Sequence, residues 1–362
     1  MGENIGRHLR KLLLMMVLFI LLIPSNRTIA TSQWADQSGS LYSVLATLQQ
    51  NQERSLPGTS FSVRAILPQN QEREESTFFD LRMEPGQEQI VNIEVINHTK
   101  ETIEIEVAVF TATTNKNGFA EYQLSPEVPD DTLPYLMEDV ITTTSYVEVP
   151  PEGAKWVPFH IKMPEEAYDG VLAGGLEMRR VVSEEQSTTR GLRNVYSFLT
   201  VILLHQGEAV SPQIISRGTE VEFYGAEGLF STNFQNTEAA FASDLEIQTR
   251  VTDRETKEVI FESKTEGLQM VPHSDFWYQF QLSEDELSEG IYIINYILKS
   301  GDLSWEIKEY IRITGESPLE GYVMSRGEVL FLRWRRWLGA FLGLALLMIT
   351  VIMGLDCIQR IR

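Results

Sequence analysis

The chain has 362 residues, with 30 Lys and Arg against 51 Asp and Glu and a single cysteine. A net charge of −21 repels nucleic acid, anionic lipid and teichoic acid and favours basic or neutral partners, and it equally serves to keep an exposed protein in solution. One cysteine excludes an internal disulfide framework and any thiolate cluster for a metal, so the cores must close by apolar burial alone.

Arg7, His8, Arg10 and Lys11 precede Leu12–Ile23, an apolar run too short to span a bilayer. Pro24 follows, then Thr28-Ile29-Ala30, small at both positions that a signal peptidase reads. Residues 1–30 are therefore expected to be a secretory signal peptide, removed after Ala30. Residues 31–57 form a polar lead-in, within which LYSVLATLQQ offers only a thin apolar face.

From Phe61 to about Ile313 the rhythm is that of strands. Ile90–Ile96 and Ile103–Val109 alternate apolar with polar and are joined by the turn Asn97-His98-Thr99-Lys100. Asn115-Lys116-Asn117-Gly118 is another turn, and Pro150-Pro151-Glu152-Gly153 separates Tyr146–Val149 from a strand at Trp156–Met163. In Asp169–Gly175 the glycines Gly170, Gly174 and Gly175 suit a bend or a close backbone approach, a structural role. Val195–Leu204 is nearly all apolar and suits a strand buried on both faces. After Pro212, Leu245–Val251, Val259–Phe261, Phe276–Leu282, Ile291–Leu298 and Trp305–Ile313 make a second set, the last two joined by Ser300-Gly301-Asp302.

Short strands with turn signals between them predict an all-β ectodomain of two tandem immunoglobulin-like antiparallel β-sandwiches, residues 58–207 and 208–314. A linker, 315–336, leads to Leu338–Leu355, eighteen residues without a charge. As a helix that run is about 27 Å long, enough to cross the hydrocarbon core. Trp334 and Trp337 suit the membrane interface. The reading is a C-terminal transmembrane helix at 337–355 with a cytoplasmic tail at 356–362, hence a single-pass type I protein of the cell membrane with its ectodomain outside. Three arginines at 333–336 then lie outside against Arg360 and Arg362 inside, an imbalance the N-terminal signal has to override. Four basic and one acidic residue precede residue 31, and five basic and one acidic follow residue 332, so the exported part has 21 basic against 49 acidic groups, a charge of −28.

Chemistry is sparse. The histidines outside the signal, His98, His160, His205 and His273, show no ligand spacing. His160 and His205, in or at the end of strands, are expected to be hydrogen-bonded structural residues. Asp130-Asp131 with Glu138-Asp139 lack a calcium-loop pattern and read as a solvated acidic loop. No catalytic constellation, cofactor motif or metal site is recognisable, so no enzyme and no cofactor is expected.

Phe61-Ser62-Val63, Leu67-Pro68-Gln69-Asn70-Gln71 and Phe79–Gln87 resemble the opening of the WxL-interacting proteins of Gram-positive bacteria. The resemblance continues through Thr111–Asn115, Ile161-Lys162-Met163-Pro164, Tyr168-Asp169-Gly170 and Gly174-Gly175, then Gln269–Phe276 and Gly290-Ile291-Tyr292. It implies a cell-surface scaffold or adhesion protein whose first domain is of the peptidoglycan-binding type and whose second is of the host-binding type. It also implies a WxL-domain surface protein as partner, with peptidoglycan and a host extracellular ligand as further ones. None of the six tryptophans heads a Trp-x-Leu, so this chain would be the interactor. An assembly chaperone that lends a strand edge to exported clients is the competing reading. Candidate partner-binding residues are Leu67, Pro68, Asn70, Gln71, Phe79, Asp80, Pro85, Gly86 and Gln87, with Pro272, His273 and Ser274 in the second domain. The alternative for the 67–87 stretch is that its Pro, Asn and Gly residues only shape turns.

Overall fold

The computed structural model describes residues 59–126, 128–181, 196–224, 227–283, 286–314 and, for the backbone, 320–323. The expected signal peptide, lead-in, membrane helix, Trp334 and Trp337 lie outside these residues, and among the described residues no helix is long and apolar enough to cross a membrane.

The N-terminal half runs β1 (Phe61–Ile66), β2 (Phe79–Arg82), β3 (Glu88–Asn97), β4 (Ile103–Thr111), β5 (Thr113–Thr114) and β6 (Ala120–Glu121). It continues with a four-residue helix α1 (Met137–Val140), then β7 (Ile141–Thr143), β8 (Tyr146–Val149), β9 (Ala154–Lys162), β10 (Gly170–Arg180) and β11 (Ser197–Gln206). One sheet has the order β1-β3-β9-β7 and a second β2-β11-β10-β4-β8, the β2–β11 pair being parallel. Alternation puts Val91, Ile93 and Val95 of the first sheet and Ile103, Ile105 and Val107 of the second into one buried cluster, so the two sheets share a core. Phe61 and Phe198 meet edge to face at 4.8 Å within it.

The turn at Asn97 does not join a hairpin. β3 pairs with β1 and β9, whereas β4 pairs with β10 and β8, so the chain changes sheets there. The Asn97 amide, 1 % exposed, pins the crossing: its nitrogen donates to the carbonyls of Glu101, Val149 and Pro150, and its oxygen accepts the Thr99 backbone N–H.

The C-terminal half comprises β12 (Ile214–Tyr224), β13 (Glu227–Asn236), β14 (Ala242–Asp253), β15 (Val259–Met270), β16 (Ser274–Ser283), β17 (Gly290–Ser300), β18 (Leu303–Thr314) and β19 (Glu320–Val323). Its sheets, β12-β13-β16 and β15-β14-β17-β18-β19, enclose a core rich in aromatic rings: Phe230, Phe234, Phe276, Tyr278, Phe280, Tyr292 and Tyr296. The β17–β18 hairpin turns at Ser300-Gly301-Asp302 as expected, with Gly301 at φ 54°. β12 and β13 were not foreseen. Gly218 sits at a bulge that breaks the alternation of β12, and β13 buries the polar Thr232, Asn233, Gln235 and Asn236.

β11 has both faces covered. Ile202 and Leu204 point into the first core, whereas Val201 and Leu203 join Phe78, Ala112, Tyr122, Val171, Ala173 and Val271 in a third cluster. That cluster contains a residue of the C-terminal half, Val271, and it marks a packed seam between the two halves. The glycines of β10 follow from this packing. A Cβ on Gly170 would come 2.4 Å from the Ala239 carbonyl oxygen across the seam, and one on Gly175 would come 2.1 Å from that of Tyr122.

Candidate functional site

Within the stretch from Leu67 to Gln87, residues 70–72 are bonded onto the edge of β2. Gln71 bridges Leu81, Glu72 N–H donates to the Asp80 carbonyl (2.5 Å) and Arg82 N–H to the Asn70 carbonyl (3.3 Å). The Asn70 and Gln89 amides bond reciprocally at 2.9 Å. Arg82 grips Glu72 at 2.6 and 2.9 Å, and this bond holds the Glu72 carboxyl below the usual carboxylate range. Leu67 is exposed, Pro68, Asn70 and Gln71 partly so, and the segment covers an edge that would otherwise be open to a partner's strand. Phe79 and Asp80 are fully buried and present no surface. Pro85, Gly86 and Gln87 form a turn in which Gly86 takes φ 69° and donates its N–H to the Pro164 carbonyl.

Behind this segment the fold assembles a trio unseen in the sequence. The Asp80 carboxylate accepts Ser76 Oγ–H at 3.1 Å and lies 2.7 Å from His205 Nε2. The carboxylate sits between hydroxyl and imidazole, so the histidine has no contact through which to activate the serine. The arrangement ties the loop to β11. His205 is thus a bonded structural residue, whereas His160 differs from expectation and stands exposed on β9.

Pro272, His273 and Ser274 lie at the seam. Ser274 Oγ bonds to Thr114 Oγ1 (2.6 Å) and to the Val271 carbonyl (2.9 Å), and Val271 N–H donates to Thr114 Oγ1 at 3.1 Å. His273, at φ 49°, reaches Thr132 Oγ1 at 3.0 Å, and burial lowers its imidazole pKa against the opposing pull of Asp130 and Glu238. The acidic loop belongs here too. Asp130 is buried and accepts the Gln235 side-chain amide, and Asp131 pairs with Arg217 at 3.4 Å. Glu138 instead binds Thr111 and Ser125, so the four acids do not converge. Among the described residues no group of three or more His, Cys, Asp or Glu is placed to hold a metal.

Among the sheet faces open to solvent are two with charged side chains paired across their strands. On β14-β15-β17-β18 a shallow depression of about 580 Å³ is lined by Gln248, Arg250, Glu262, Lys264, Asn295 and Glu306, with Arg250–Glu262 (2.5 Å) and Lys264–Glu246 (2.9 Å) paired across strands. On β1-β3-β9-β7 the outward rungs are Arg64–Glu94–Trp156, Ile66–Asn92–Pro158 and Ile90–His160–Thr142. Trp156 is 59 % exposed and Ile90 53 %. The indole N–H of Trp156 reaches Glu94 Oε1 at 3.3 Å, and Arg64 bonds Glu94 Oε2 at 2.5 Å. The sequence carried a signal for this face: Val157, Phe159 and Ile161 are the buried phase of β9, so Trp156 had to point the other way.

Two family models match the chain in succession. The first, the peptidoglycan binding domain of WxL Interacting Protein, covers residues 61–180, and the second, the host binding domain of the same family, covers residues 187–318. The chain belongs to the WxL-interacting protein family. Both models describe binding domains, and neither is an enzyme family. As a WxL-interacting protein the chain shows one unexpected division: β11 falls within the host-binding match, yet it hydrogen-bonds between β2 and β10 in a sheet of the N-terminal half. No curated protein sequence matches the chain. Among solved structures it is similar to a PapD-like domain of human CEP192 (12 % identity, 43 % of this chain and 92 % of that one, TM-score 0.26). It is also similar to a chain of the chaperone–tip adhesin complex of CFA/I fimbriae (10 %, 68 % and 98 %, TM-score 0.31) and to the E. coli chaperone DraB (11 %, 68 % and 96 %, TM-score 0.26). Likenesses at this level assign no role.

Proposed function

We propose that this WxL-interacting protein is an exported, membrane-anchored scaffold of the cell surface. It holds a WxL-domain protein at the wall, its first half toward peptidoglycan and its second toward a host ligand, each half an immunoglobulin-like sandwich. The observation that carries the reading is the ordered pair of family matches over residues 61–318. Export is supported by the basic, apolar and small-residue succession of residues 7–30, and anchoring by the uncharged run Leu338–Leu355 fenced by arginines.

The packed seam suits a scaffold, because a load on one half passes to the other through buried contacts such as Val171 N–H to the Ala239 carbonyl at 2.8 Å. The test is affinity capture from a surface extract of the source organism with purified residues 31–332, followed by a salt wash. A protein carrying Trp-x-Leu motifs should elute as the main stable partner. A spread of transient, unfolded clients would overturn the scaffold in favour of a chaperone.

A further inference from the structure

The N-terminal half has two sheets and therefore two outer faces, and one of them is largely covered, open only around Glu106, Tyr146 and Arg179. The outward residues of β10 and β11, Val171, Ala173, Val201 and Leu203, are buried under Phe78, Tyr122 and Val271. The β1-β3-β9-β7 sheet has its inner face in the core and its outer face in solvent. All four of its strands fall inside residues 61–180, the stretch matched by the peptidoglycan-binding model, whereas the other sheet needs β11 from beyond it. A surface that belongs wholly to that domain and is free to bind is found on this sheet.

We propose that the outer face of the β1-β3-β9-β7 sheet is a glycan-binding platform, with Trp156 as its stacking surface and the glycan strands of peptidoglycan as its occupant. The inference rests on the peptidoglycan reading above and gives it a place. A sugar ring presents an apolar C–H face and a rim of hydroxyl and amide groups, so its site needs an exposed aromatic plane flanked by fixed donors and acceptors. Trp156 supplies the plane, and its bond to Glu94 fixes how the indole lies on the sheet. Arg64 and Glu94 stand beside it, and Asn92 follows on the next rung. Four residues along β9, about 13 Å away at strand spacing, His160 and Ile90 provide a second polar and apolar pair. That length accommodates more than one ring of a linear polymer.

The local charge also fits. On a chain of net charge −21, this face sets Arg64, Lys162 and His160 beside Glu94 and Glu88, a near balance. A polymer bearing acidic stem peptides meets less repulsion here than the average charge of the chain implies.

The test uses the full chain in detergent, sedimented with purified peptidoglycan sacculi. Trp156→Ala is expected to lower retention about tenfold, and Trp156→Phe to keep most of it. Trp277→Ala, at the other exposed tryptophan of the described residues that stands on a sheet face, should leave retention unchanged, as should competition by free stem peptide. A soluble N-acetylglucosamine tetramer should compete. Equal retention of Trp156→Ala and the unaltered chain overturns the platform while the peptidoglycan reading stands. Competition by stem peptide alone overturns the glycan as occupant. Failure of the unaltered chain to sediment overturns the peptidoglycan reading itself, and the platform with it.

Discussion

Replacing Thr114 by Val tests whether the seam is a load-carrying joint. The change keeps the side-chain shape and removes one hydroxyl. That hydroxyl accepts the Val271 N–H at 3.1 Å and shares a 2.6 Å bond with Ser274 Oγ, which in turn donates to the Val271 carbonyl. Thr114 is 5 % exposed, and Val271 is fully buried, so water does not replace the lost partner. A buried N–H left without an acceptor costs about 1–3 kcal/mol, and the lost hydroxyl pair about 1 kcal/mol more. Equilibrium urea denaturation of residues 31–332 should therefore show a loss of about 2–4 kcal/mol. Thr142→Val, on the exposed outer face of β7, should change stability by less than about 0.5 kcal/mol. A double-mutant cycle with Ser274→Ala should give a coupling of at least about 0.5 kcal/mol. A Thr114→Val effect as small as that of Thr142→Val, with no coupling to Ser274, would refute the joint.

Gly175→Ala should destabilise the N-terminal half by about 1–3 kcal/mol through overpacking, because the new methyl meets the Tyr122 carbonyl, and thermal unfolding measures it. Asn97→Ala should lower stability by at least about 2 kcal/mol by freeing buried carbonyls at the sheet crossing, seen as a lower urea midpoint. His273 has a depressed pKa in the folded chain, so the stability it contributes is present above its ordinary value of 6.5 and is lost as pH falls through the depressed one. Glu309 behaves oppositely: burial raises its pKa, so its contribution is present below 4.5 and is lost as pH rises through the raised value. Unfolding midpoints followed across pH should lose the first dependence in His273→Gln and the second in Glu309→Gln.

Much of the strand content was legible because alternation is a local signal. β3, β4, β14, β17 and β18 all show it, and the doubly apolar β11 correctly implied two covered faces. What escaped the sequence depends on distant partners. Thr232 is a core residue because Thr219 and Tyr296 bond it, and Gln235 because Asp130 does. None of these partners is within ten residues, so β13 had no local signal to mark it. The same holds for the candidate site. Leu67–Gln87 was singled out as a candidate contact surface, but that its Gln71 and Glu72 would cover the edge of β2 depended on where β2 came to lie. Pro272-His273-Ser274 was recognisable as a motif, yet its place at the seam is set by Thr114 and Thr132, more than 140 residues earlier.

The central claim is that one chain connects a WxL-domain protein to the wall. The most direct measurement mixes purified sacculi, a purified Trp-x-Leu-bearing surface protein and the full chain in detergent, then quantifies the WxL protein in the pellet. Pelleting of the WxL protein should rise with added chain and saturate at a fixed ratio of the two proteins. Equal pelleting with and without the chain would contradict it.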